Sequence, residues 1–414
     1  MKKTLRGTAG AALVSVSLLA AALPVGASFK IDTIMKNDLN IKALPSSSLN
    51  MGGSSFDAPL VQAAETQWNT ATGKAPFSSY NTTKSGTGRA NAISGSYNIG
   101  FSDFPLNIAG PDVGPGSSDT SETTANYVQV PVALGGVAII FHFGTGISGT
   151  TGALLKKYPL TVNGLTLGKI FNGKITNWDD PAIAKTNPHL VVKGKDLLPN
   201  LPIAVLSRTS GSGTTFMFQD YLNRVDAADF PTASSAAFTH AAATFANSGL
   251  LDAGVHSTLG AIGYVEYGYA LANNSLTMNL INKSGKNVAL TGAGVLAAAT
   301  AGLLNIKAHG GFNTTSINNF SINNSTGATV YPIAGFSYAI VKKVQSDKNT
   351  AIAVVKFLDY LSHQGGGTAT SNTFGQDLAD ANGYVALPLT LQTIARTLIS
   401  GVTFGGTHVL SATN

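Results

Sequence analysis

Three stretches of this chain place hydroxyl and glycine residues where a strand pattern gives way to a helix pattern: Ser55-Phe56, Ser85-Gly86 and Ser212-Gly213-Thr214. A helix N-terminus exposes unpaired N–H groups and a partial positive charge. Small residues let an anion approach that backbone, and hydroxyls add donors. Each stretch alone also fits an ordinary N-cap or turn, but three in one chain suggest an oxyanion pocket. Arg208 precedes the third stretch and can offer its guanidinium fork to two oxygens of one ion. Asp103 is the odd member, because a carboxylate repels an anion. It fits if the ion carries a proton that the carboxylate can accept. Monohydrogen and dihydrogen phosphate carry one; sulfate at neutral pH does not. Sulfate would leave a buried acceptor unpaired beside like charge, a mismatch of about 4 kcal/mol or more. On spacing alone, Asp103 before Pro105 also reads as a turn residue.

Other chemistries find less support. The seven His residues (142, 189, 240, 256, 309, 363 and 408) are scattered singly. No H-E-x-x-H, G-x-S-x-G or S-x-x-K signature appears. Lys84-Ser85-Gly86 has the K-T-G form of penicillin-recognising enzymes but lacks the S-x-x-K partner. Gly211-Ser212-Gly213-Thr214 is no Walker loop, since no Lys follows the last Gly. A secreted phosphatase-like hydrolase is thus the enzyme alternative. A binder of sulfate or molybdate is the alternative among binding proteins, and a surface adhesin is a third class, permitted by the Asn-rich stretch near Asn318. No cofactor or metal site is expected.

The elements that must position these residues alternate. Leu49 to Met51 reads as a short strand, and Asp57 to Thr70 as a helix with Leu60, Ala63, Ala64 and Trp68 on one face. Phe77 to Tyr80 is a weak strand before the Ser85 loop, with a helix starting near Arg89. Asn98 to Phe101 is a strand ending at Ser102-Asp103, and Gly110 to Thr124 a loop. Tyr127 to Phe143 is a long apolar β stretch that Gly135-Gly136 should break. Leu201 to Leu206 is a strand and Thr215 to Val225 a helix. Tyr331 to Val341 reads as strand and Asn349 to His363 as an amphipathic helix. This alternation predicts an α/β fold with a largely parallel sheet.

Composition bounds the setting. Hydrophobic residues make up 44% of 414, enough for a substantial core, while charged residues are only 11%. The net charge of +6 favours anions. No basic run with interleaved aromatics is present, so nucleic acid is not an expected partner. There is no cysteine, which removes disulfides and a lipid-modified N-terminal Cys. Lys2, Lys3 and Arg6, the apolar run Ala11 to Leu23, and Val25-Gly26-Ala27 read as a secretory signal cleaved near Ala27, too short to span a membrane comfortably. A periplasmic or extracellular location follows, with residues 28–45 as a spacer.

The chain resembles the PstS-type phosphate-binding proteins of ABC phosphate importers, from about Ser48 to Leu389. The resemblance rests on Ile99-Gly100-Phe101-Ser102-Asp103-Phe104-Pro105-Leu106, on Leu167 to Pro188 with Gly173 to Asp180 inside it, on Arg208 to Phe216, and on Gly260 to Tyr267. It implies the two-lobed periplasmic-binding-protein fold with hinge crossovers: lobe I from residues 46–129 plus 331–414, lobe II from 130–330 with a polar insertion about 285–328, and hinges near Gln129–Val132 and Val330–Pro332. It implies inorganic phosphate held by Ser55, Phe56, Ser85, Asp103, Arg208, Ser212, Gly213 and Thr214, with Phe56 and Gly213 donating backbone N–H groups. It further implies a monomer that delivers phosphate to an ABC permease and catalyses nothing. Ser55 stands where the family commonly has Thr. Ser210 stands where familiar members often have an Asp paired with the binding Arg, so Arg208 must be held differently.

Overall fold

The computed structural model describes residues 49–72, 78–106, 126–144, 150–309, 311–312, 317–365 and 374–409. The expected signal segment, the spacer up to residue 45 and the Gly110 to Thr124 loop lie outside them.

The main sheet is built from β1 (Met51–Gly53), β2 (Asn81–Thr82), β3 (Ile99–Ser102), β4 (Tyr127–His142), β5 (Ala204–Arg208), β6 (Ala243–Phe245), β7 (Ala261–Glu266) and β8 (Ala334–Lys342). Its spatial order is β2-β1-β3-β8-β4-β7-β5-β6. The two wings are parallel, β2-β1-β3 on one side and β7-β5-β6 on the other. Between them the long strands β4 and β8 pair antiparallel with each other and with the inner strand of each wing. The sheet is therefore mixed, where alternation alone suggested a largely parallel one. An apolar run shows that a strand is buried but not which way it points.

β4 runs unbroken through Gly135 and Gly136, and its first fifteen residues are all buried. These glycines make room for packing. A Cβ on Gly135 would lie 2.8 Å from the Phe56 ring, and one on Gly136 would lie 2.4 Å from Leu290. A smaller core gathers Val128, Val130 and Val132 of β4 with Ala339 and Val341 of β8. A larger core takes Ala133 to Ile140 with Phe336 and Tyr338. α1 (Ala58–Thr72) and α6 (Lys348–Ser362) cover the smaller core. α3 (Gly213–Val225), α4 (Ser248–Ser257) and α5 (Gly292–Ala308) cover the larger one. α7 (Leu389–Ile399) contributes Leu391 to one core and Ala395 and Ile399 to the other. α2 (Ser85–Ser94) packs on β1 and β3. No helix among the described residues is long and apolar enough to cross a membrane.

Candidate functional site

The loops that leave the two parallel wings meet. After β1 the chain turns through Ser54 to Asp57 into α1, Ser85 opens α2, and Asp103 follows β3 directly. From the other wing, Arg208 ends β5 and Ser212 caps α3, its Oγ accepting from the Thr215 N–H. All eight residues predicted from the sequence are buried, and contacts link several of them. Arg208 Nη1 donates to Ser55 Oγ at 3.0 Å. Ser85 Oγ lies 3.3 Å from Asp103 Oδ2. Gly213 packs so closely that a Cβ there would lie 2.3 Å from Ser85 Oγ and 2.6 Å from Asp103 Oδ2. The Phe56 N–H donates to Ser54 Oγ at 3.0 Å, and Ser54 Oγ donates to Asp103 Oδ1 at 2.7 Å. Thr214 Oγ1 donates to Glu266.

Two contacts to backbone carbonyls tie the wings together beside this cluster. The Gly86 N–H donates to the Gly211 carbonyl at 2.9 Å, and Lys84 Nζ donates to the Ser210 carbonyl at 2.7 Å.

Arg208 is 1% exposed. A buried guanidinium needs acceptors for its hydrogens, and none of the three shown among the described residues is a carboxylate. Nη1 donates to Ser55 and, at 2.7 Å, to Ser248, and Nη2 donates to the Ala246 carbonyl at 3.1 Å. Nε is buried with no partner among the described residues. Serine and carbonyl oxygens thus stand in for the acidic partner that Ser210 cannot supply. Ser210 instead offers its carbonyl to Lys84 and its hydroxyl to the Ala237 N–H.

Asp103 is 3% exposed. Burial pushes its carboxyl up to about 7; hydroxyl donors from Ser337 and Ser54 pull it down, the Glu266 charge pushes it up, and the Arg208 charge pulls it down. Asp103 and Arg208 therefore sit within electrostatic reach inside one buried cluster. Hydroxyls, helix N-termini, one guanidinium and one carboxylate acceptor match the needs of a protonated tetraoxo anion. Among the described residues no group of His, Asp or Glu could hold a metal ion.

Sequence reasoning missed several members. Ser248 has the same signature as the three recognised loops: β6, an Asn247 N-cap and then α4. Read consistently, that pattern would have included it. Ser337 had no local signal. It sits where the β4–β8 pairing slips by one residue opposite Pro131 and Val132. Pro131 lacks an N–H for the ladder, and such irregularities re-aim side chains. Ser337 Oγ reaches both Asp57 and Asp103. In the sequence Asp57 reads only as a helix start.

The sequence pattern described as the PBP superfamily domain matches residues 40–364. The phosphate-binding protein PstS of Xylella fastidiosa (strain 9a5c) is 29% identical over 340 residues, covering 81% of this chain and 80% of that one. That of Haemophilus influenzae is 28% identical over 358 residues, covering 84% and 92%. Among solved structures, the phosphate-binding protein from Stenotrophomonas maltophilia superposes with a TM-score of 0.56 at 18% identity, covering 85% of this chain and 93% of that one. With the family pattern spanning most of its length and the fold shared with solved members, this chain belongs to the PBP superfamily.

Proposed function

We propose that this protein is an exported solute-binding protein that captures inorganic phosphate and delivers it to an ABC permease. One observation carries the reading: Asp103, a buried acceptor, and Arg208, a buried donor with a spare N–H, belong to one cluster formed by loops from both wings of the sheet. Such a site needs an anion that also carries a hydrogen. The relatives named above are phosphate-binding proteins, and they support the same ligand.

Lobe I comprises residues 46–129 with 331–414, and lobe II residues 130–330. The chain crosses near Gln129–Val132 and Val330–Pro332, and the pairing irregularity at Pro131 gives one crossing a place to bend. Ser55, Phe56, Ser85 and Asp103 then belong to lobe I, and Arg208, Ser212, Gly213 and Thr214 to lobe II. Phosphate bridges both sets of donors, so its binding energy is realised only with the lobes shut. Capture is a shift toward the closed form, with no bond made or broken, and the closed form is what a permease distinguishes from the empty protein. The place of action is the periplasm or the cell exterior.

Isothermal titration at about pH 8 with phosphate, arsenate, sulfate and molybdate tests this. Phosphate and arsenate, both protonated, should bind tightly and sulfate should not. Tight sulfate binding without phosphate binding would reject it. Sulfate should begin to compete only as the pH falls below about 7, where Asp103 itself takes a proton and becomes a donor.

A further inference from the structure

Asp57 is fully buried, and no role has been assigned to it. Its Oδ2 lies 2.6 Å from Ser337 Oγ, and the same Oγ lies 2.5 Å from Asp103 Oδ1. A serine hydroxyl has one hydrogen and donates once. It cannot satisfy two ionised carboxylates at these distances, because the second contact would set lone pairs against lone pairs. One of the two carboxyls must therefore carry a proton and donate it to Ser337.

The surroundings decide which one. Asp103 faces hydroxyl donors from Ser54, Ser85 and Ser337, and the positive charge of Arg208. Among the described residues the Asp57 carboxyl is shown bonded only to Ser337, and its Oδ1 is buried with no partner among them. The charges shown acting on it, those of Asp103 and Glu266, are both acidic. The Glu266 charge acts unfavourably on both carboxyls and does not separate them, whereas the Arg208 charge is shown favouring the ionised form of Asp103. The phenols of Tyr80 and Tyr384 point their hydrogens elsewhere, to the carbonyls of Ser54 and Phe56. We infer that Asp57 holds the proton and donates it to Ser337, whose own hydrogen goes to Asp103, so that Asp57 is the positioning residue that keeps Asp103 an ionised acceptor for the ligand. Burial first, and then the charge of Asp103, push the Asp57 carboxyl well above the ordinary carboxylate range, in keeping with this assignment. The pair shares one proton through one serine, and the position of that proton sets whether the pocket accepts or donates at Asp103.

This inference rests on the phosphate reading only for its consequence, so the first test uses protein without ligand. Infrared difference spectra of protein labelled with 13C at the Asp carboxyls, wild type against Asp57→Asn at about pH 7.5, should show an un-ionised carboxyl C=O band that the variant lacks. Subtraction also removes Asp359, another buried carboxyl pushed up by its surroundings. Ser337→Ala should shift the frequency of that band, because the acid loses its acceptor. No difference band, or one indifferent to Ser337, would overturn the assignment even if the protein bound no phosphate. The second test follows affinity. Asp57→Ala should weaken phosphate binding about tenfold, and Asp57→Asn, whose amide donates as the acid does, should recover to within about threefold of wild type. An Asn variant as weak as the Ala variant would contradict a donor role.

Discussion

Among the described residues Arg208 is the one cation shown acting on Asp103, and its replacement should give a large loss of affinity. In Arg208→Ala the ion loses a two-pronged, charge-assisted contact. Each such bond is worth about 1.5–3 kcal/mol, and breaking a buried charge pair costs about 3–5 kcal/mol. Both routes give a loss of about two to four decades in phosphate affinity. Arg208→Lys should recover little. The guanidinium reaches Ser55, Ser248 and the Ala246 carbonyl at once and has Nε to spare, whereas an ammonium is a point charge that cannot span those acceptors. Removing the Arg208 charge also pushes the Asp103 carboxyl higher, so Asp103 takes up a proton instead of remaining a bare buried charge. The folded variant should thus be hurt less at pH 5 than at pH 8. Titration calorimetry beside thermal melts at both pH values separates the two effects. A well-folded Arg208→Ala protein that bound phosphate within threefold of wild type would refute the place given to this residue.

Gly213→Ala should weaken binding at least tenfold, because its Cβ would collide with Ser85 and Asp103 of the facing loops; on the two-lobe proposal, small-angle scattering with phosphate should then show a persistently extended form, and normal compaction would contradict it. Ser248→Ala removes the shortest of the Arg208 hydrogen bonds and should cost about tenfold in affinity, read by calorimetry; no change would leave Ser248 outside the site. The pH dependence of stability should run opposite to that of most proteins. Asp103 rises from 3.8 to about 7 and Glu65 from 4.5 to about 7, chiefly through burial, and Asp57 and Asp359 also rise. Between about pH 4 and pH 7 the folded state therefore holds more protons than the unfolded one, and stability falls as the pH rises through that window. The lowered His142 and His189 rings oppose this, but both are partly exposed. Melting temperature without ligand should be higher at pH 5 than at pH 7.5, and unfolding already in mild acid would contradict the buried-acid cluster.

Local grammar made much of the fold legible. Strand, small-residue loop and helix recur at Ser55, Ser85 and Ser212, and the helices at Ala58–Thr72, Gly213–Val225 and Lys348–Ser362 lie within two residues of their expected bounds. What failed was non-local. The direction of β4 and β8 depends on partners far along the chain, so their antiparallel pairing could not be read from two apolar runs. Gly135-Gly136 looked like a break because the Phe56 and Leu290 side chains that need the space come from distant segments. Asp57 and Ser337, separated by 280 positions, meet beside the slip in the β4–β8 pairing at Ser337. The Arg208 partners illustrate both cases: Ser248 had a readable cap signature, while the Ala246 carbonyl had none.

The most direct measurement is a crystal structure of the protein grown with phosphate. One ion should lie between the wings, within hydrogen-bonding distance of both the Asp103 carboxylate and the Arg208 guanidinium, with hydroxyls of Ser55, Ser85 and Thr214 completing its shell. An ion bound elsewhere, or one touching Arg208 with Asp103 turned away, would contradict capture of a protonated oxyanion at this site.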